Sequence, residues 1–134
     1  MGMKKIIFLL ISIFFSSTVF SQSQTEDPGV QWETKSKDFS TIKIGTVAEF
    51  TFKVKNVSNS AIVISSAAPS CGCTASTYTP TPIKPGETGS VTASYNTEGR
   101  PGFFYKSVRV TFSNGTVSDL AITGTASYDV PSPK

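Results

Sequence analysis

The chain has 134 residues, which suits one domain and hardly two. It carries 12 Lys and Arg against 9 Asp and Glu, and no histidine. The commonest general base and metal ligand is therefore missing, and neither a Ser-His-Asp nor a Cys-His site can be built within one chain.

Residues 1–21 read as a secretory signal peptide. Lys4 and Lys5 give a positive start, residues 6–15 are apolar apart from Ser12, and cleavage is expected after Ser21, with Val19 and Ser21 as the small residues the peptidase reads. The apolar stretch falls short of the ~20 residues that cross a bilayer, and no cysteine stands near the cleavage point to take a lipid. The expectation is an exported protein, periplasmic or secreted, with no membrane span in its mature part. Without Lys4 and Lys5 the net charge drops to +1, too even a balance for a nucleic-acid partner. Both methionines also lie in this segment.

Residues 22–29 end in Pro28-Gly29 and read as a flexible leader. A period of two then begins. Val30 and Trp32 mark a short first strand, and Phe39, Ile42 and Ile44 a second apolar patch before Gly45. The clearest strand is 47–57: Ala48, Phe50, Phe52 and Val54 share one face, Glu49, Thr51, Lys53 and Lys55 the other. A polar turn follows at 56–60, then a strand that opens with Ile62 and Ile64 and runs to Pro69. Residues 79–89 hold three prolines, so they form a loop or edge with a turn at Pro85-Gly86. Val91, Ala93 and Tyr95 alternate along the next strand, and Val108, Val110 and Phe112 point inward from another that starts at Phe104.

Asn114-Gly115 signals a two-residue hairpin, because a type I′ turn needs positive φ at both central residues. That turn would pair Val110 with Asp119 and set a carboxylate against the core. A bulge near Ser118 or Asp119 is therefore expected, returning Leu120 and Ile122 to the interior. The pattern predicts an all-β chain: an immunoglobulin-like sandwich of about seven antiparallel strands over 30–128, with a frayed tail at 129–134.

Both cysteines lie in Ser70-Cys71-Gly72-Cys73-Thr74. An oxidising compartment allows a disulfide, and Gly72 permits the sharp bend it needs. So small a loop contributes only ~1.6 kcal/mol of chain entropy, against ~3 for fifteen residues. Three readings compete: a loop-stiffening bridge or thiol pair, an exchange-prone dithiol, and a soft-metal site such as one for Cu(I) with Cys71 and Cys73 as its candidate ligands. No cation near them in sequence would lower a thiol pKa. Phe103-Phe104-Tyr105 is read as one ring in the core and two at a strand end, with a glycan or partner contact as the other use. Trp32 reads as a core or sheet-edge residue, and Glu87 and Glu98 lie in separate loops, which makes a glycosidase-style carboxylate pair no more than conceivable.

Lys37-Asp38-Phe39, Gly45, Phe50-Thr51-Phe52, Asn56, the SCGCT block, Pro82-Ile83, Pro85-Gly86-Glu87 and Gly102-Phe103 together resemble the bacterial domain-of-unknown-function family 1573. The likeness covers about residues 35–125. It implies a Hydin-type immunoglobulin-like sandwich of seven strands in a mostly exported family with no general activity. Ser40 stands where the family usually has glycine, and Tyr78 where a tryptophan often follows the cysteines. No catalytic residue and no cofactor is expected. The sequence thus points to a non-enzymatic binding or scaffolding module of the cell envelope, whose partner is another envelope protein or a glycan. The alternative is a periplasmic thiol protein handling redox equivalents or copper through Cys71 and Cys73.

Overall fold

The computed structural model describes residues 27–130, so the predicted signal peptide, most of the leader and the last four residues lie outside the described residues. Eight strands form two four-stranded sheets: β1 (Val30–Trp32), β2 (Ser36–Lys43), β3 (Val47–Asn56), β4 (Ile64–Pro69), β5 (Thr74–Tyr78), β6 (Thr88–Asn96), β7 (Gly102–Phe112) and β8 (Val117–Ser127). One sheet runs β1-β3-β6-β5 and the other β2-β8-β7-β4. This is the predicted sandwich. All pairings are antiparallel except that of β2 with β8, which is parallel. The chain enters in one sheet as β1 and crosses to the other as β2.

The core lies between the sheets, where alternation places it. Phe52, Val54, Val91 and Ala93 meet Val108, Val110, Phe112, Leu120 and Ile122. Gly124 leaves the space that Phe104 fills, since a Cβ there would lie 2.7 Å from the ring. Trp32 packs half-buried against Phe112, ring centroids 6.2 Å apart, and donates its indole N–H to the buried Ser118 hydroxyl. Ser118 in turn donates to Asp27, which also pairs with Lys35 at 2.6 Å. The end of the expected leader, 27–29, is thus pinned to the sandwich; Thr116 and Val57 also donate to the carbonyls of Pro28 and Gly29.

The β7–β8 hairpin differs from the expected one. Phe112 N–H donates to the Thr116 carbonyl and Gly115 N–H to that of Phe112. The loop therefore has three residues, with Gly115 at φ +87°. The extra residue sits in the turn, so Val110 pairs with Ser118 and Arg109 with Asp119, and the register is unbroken. No bulge at Ser118 or Asp119 is needed, because Asp119 already faces outward beside a cation.

Two further departures are local. β5 is a strand that the sequence pattern does not set apart from the loop around it, since its inward positions are Thr74, Ser76 and Tyr78 rather than an apolar series. In β2 the register shifts between Asp38 and Thr41, and Ser40 adopts φ +55° with its N–H bonded to the Asp38 carboxylate. That conformation explains why glycine suits the position.

Candidate functional site

The residues singled out in the sequence gather at the two ends of the sandwich. At one end Asn56 is fully buried. Its side-chain N–H groups donate to the Ser60 and Ile83 carbonyls, each at 2.8 Å, and its side-chain carbonyl accepts from the Ser58 amide and hydroxyl. Its backbone bonds Glu87 and Gly86, and Ile83 bridges Ile62. Pro85 and Gly86, with Gly86 at φ +81°, form the turn of this latch. The Asn56 side chain has no hydrogen-bonding capacity left for a ligand.

The other end holds the cysteines. β4 and β5 belong to different sheets, and Ser70–Cys73 carries the chain between them. Ser70 N–H donates to the Ser107 carbonyl at 2.8 Å, and Ser107 N–H to the Ser70 hydroxyl at 3.2 Å. Cys71 and Cys73 form a disulfide with Cα atoms 5.4 Å apart across the exposed Gly72. The Cys71 sulfur lies 3.6 Å from the hydroxyl of the buried Thr74, and Cys73 packs against the core. Of the three readings of the pair, the bridge is the one the geometry presents. Among the described residues no group of three or more His, Cys, Asp or Glu could hold a metal.

The Ser70–Ser107 bonds set this corner against the aromatic run, which the sequence had left as a separate feature. Phe104 is buried and stacks at 4.9 Å on Tyr95, the strand partner of Thr74. Phe103 and Tyr105 point out of the sheet and are 74% and 61% exposed. Their cross-strand neighbours are Thr125 and Thr123. Between Tyr105 and Ser107, Lys106 occupies an inward position, with its ammonium 5.0 Å from the Tyr95 ring centroid. Sequence reasoning missed this cation. The available signal was its parity, since Lys106 shares the inward face with Phe104 and Val108.

Further along the outer face, Arg109 grips Asp119 with two hydrogen bonds of 2.9 and 3.1 Å. The guanidinium holds the Asp119 carboxyl below its usual range, and the carboxylate raises the Arg109 pKa. Their charges cancel on that face. Glu87 and Glu98 flank opposite ends of β6, on the order of 30 Å apart at strand rise, so they do not form a carboxylate pair for glycoside chemistry. Among the described residues no helix is long and apolar enough to cross a membrane.

A two-sheet β-sandwich with its first two strands in different sheets and a disulfide at its β4–β5 corner is an immunoglobulin-like domain. The chain belongs to the family described as protein of unknown function DUF1573, which it matches over residues 30–126. No curated protein matches it. Among solved structures it is similar to a protein of unknown function from Porphyromonas gingivalis W83, at 12% identity and TM-score 0.61, over 72% of this chain and 46% of that one. It is also similar to the ASH/PapD-like domain 7 of human CEP192, at 12% identity and TM-score 0.59, over 78% and 89%. The Vibrio cholerae VesB protease matches over 73% of this chain and 32% of its own, at 12% identity and TM-score 0.57. The chain thus spans less than half of the Porphyromonas and Vibrio proteins. At these identities the likeness shows the fold alone.

Proposed function

We propose that the chain is an exported, non-enzymatic binding module of the bacterial cell envelope, which meets its partner where Phe103 and Tyr105 stand out of β7. The observation that carries this reading is the exposure of two large rings on adjacent outward positions. Apolar surface left in water costs ~25 cal/mol per Å² relative to burial. No other aromatic side chain projects outward from β7 or β8. The absence of histidine from the sequence argues in the same direction. The partner is another envelope protein or a glycan, since both use aromatic side chains as contacts.

A photo-crosslinking side chain placed at Phe103, and in a control at Thr92 on the opposite outer face, tests this in cells. Adducts from position 103 and none from position 92 are the expected result. Equal labelling from both positions removes the assignment. The intact mass of the protein recovered from the envelope reports export, through cleavage after Ser21.

A second reading, thiol exchange at Cys71–Cys73, is favoured by one observation. The bridge closes a loop too small to act as a strong staple and lies on the rim of the fold. Serine at both positions would then abolish exchange with a dithiol oxidoreductase, or Cu(I) uptake by the reduced protein, while the sandwich survives. No exchange and no uptake at micromolar protein eliminates this reading.

A further inference from the structure

β4 pairs with β7 only as far as Val108, and the chain then turns away at Ser70 into the disulfide corner. Residues 102–106 of β7 keep β8 on one side and have no strand on the other. In a strand the N–H and C=O of one residue point to the same side, and alternate residues share that side. Ser107 directs both groups toward Ser70, so Tyr105 and Phe103 direct theirs the same way, past the end of β4. Among the described residues, no hydrogen bond reaches the backbone of Phe103 or Tyr105 from that side.

Two side-chain features coincide with this open edge. The exposed rings of Phe103 and Tyr105 flank it on the outer face. On the inner face Lys106 is half-buried, with no carboxylate among the described residues within ion-pair distance. Its ammonium rests over the Tyr95 ring, 5.0 Å from the centroid, and leaves a positive charge at this edge that favours an acidic side chain over a neutral one.

We propose that this edge takes an extended peptide from a partner protein. The peptide adds as a strand antiparallel to β7 and continues the line of β4. It places an acidic side chain inward toward Lys106 and apolar side chains outward beside Tyr105 and Phe103. Main-chain bonds to Tyr105 and Phe103 supply affinity, and the alternate side chains supply the choice of sequence. The proposal rests on the binding-module reading and names the partner class for the same surface.

The test uses the processed protein, isotope-labelled, and the peptide acetyl-Thr-Glu-Val-Thr-Val-Thr-amide at up to millimolar concentration. Amide exchange at Phe103 and Tyr105 is expected to slow at least tenfold. Glutamine in place of the peptide's glutamate, or Lys106→Gln in the protein, should weaken binding about fivefold to tenfold. N-methylation of peptide amides that face β7 should abolish binding, while N-methylation of the alternate amides should not; this control leaves the protein's fold untouched. Strand addition is overturned by three results: no binding, equal loss from both N-methylated sets, or protection of the two amides in peptide-free protein that rises with concentration, which would make a second copy the occupant. If an oligosaccharide instead shifts the Phe103 and Tyr105 signals while the peptide does not, strand addition falls and the binding-module reading stands.

Discussion

Replacing Asn56 with alanine removes the four side-chain hydrogen bonds that tie the end of β3 to the 58–60 turn and to Ile83. Water can reach the groups left at the half-buried Ser58 and the exposed Ser60 and compensate for much of that loss. It cannot easily reach the Ile83 carbonyl, whose bond to Asn56 is buried. A buried acceptor without a donor costs about 1–3 kcal/mol, and each lost net bond about 0.5–1.5. The sum expected for Asn56→Ala is about 3 kcal/mol, a large share of the 5–15 kcal/mol typical of a domain. Trp32 is the only tryptophan in the chain and sits half-buried on Phe112, so its fluorescence reports global unfolding in urea. Amide exchange should also quicken at Ile83 and Gly86, which this latch holds. A loss below 1 kcal/mol, or no change in exchange at those amides, would refute the assignment of Asn56 as the latch.

Reducing the disulfide, or replacing both cysteines with serine, should cost no more than ~1.6 kcal/mol, and cooperative unfolding followed by circular dichroism should persist; a domain that no longer folds at 37 °C would show the bridge to be a true staple. Ser40→Gly relieves a left-handed conformation worth ~1–2 kcal/mol and gives back ~0.4–1 in unfolded-state entropy, so urea midpoints should rise. Asp119 is held below its usual pKa by Arg109. Its contribution to stability is present above the unfolded carboxylate pKa and fades as pH falls through the lower folded value. Both groups are largely exposed, so the effect should be small and should weaken further with salt. Asp119→Asn should lower stability slightly at neutral pH, where the pair contributes, and converge with the parent protein at low pH, so that the acid limb of the stability–pH curve flattens.

Much of the fold was legible because one face of each long strand meets a core and the other meets water. Ala48 to Val54, Val91 to Tyr95 and Val108 to Phe112 show the period openly. The signal failed where packing did not require oil. Thr74 and Ser76 face inward on β5, and the Ser76 hydroxyl spends that position bonding the Ala67 carbonyl of β4. Asn56 read as part of a turn, yet it is buried because its partners come from a loop 27 residues away. The hairpin register turned on a single residue in the loop, which composition does not encode when Asn-Gly fits two turn types. At the candidate site, the ring directions of Phe103, Phe104 and Tyr105 followed from strand parity. Their meeting with the cysteine corner did not, because it depends on where β4 ends against β7.

The unpaired segment of β7 stands apart when the other edges are set beside it, since sheet proteins blunt their edges with short strands, prolines, bulges and charges. β1 has three residues. β4 ends in Pro69, and its outward Ala67 carbonyl is already taken by Ser76. β2 carries the bulge at Ser40. The part of β3 that β1 does not cover bears outward Glu49 and Lys53, and the Lys37 ammonium lies 5.5 Å from the centroid of its Phe50 ring. β5 has five residues and runs directly into the proline segment. Phe103–Tyr105 carries less protection: Pro101 precedes it and Lys106 points inward beside it, but its outward side chains are aromatic and uncharged, and among the described residues no hydrogen bond reaches the backbone of Phe103 or Tyr105 on the side away from β8. An edge left in this state invites aggregation unless something covers it, and that cost is the physical reason to expect a partner there.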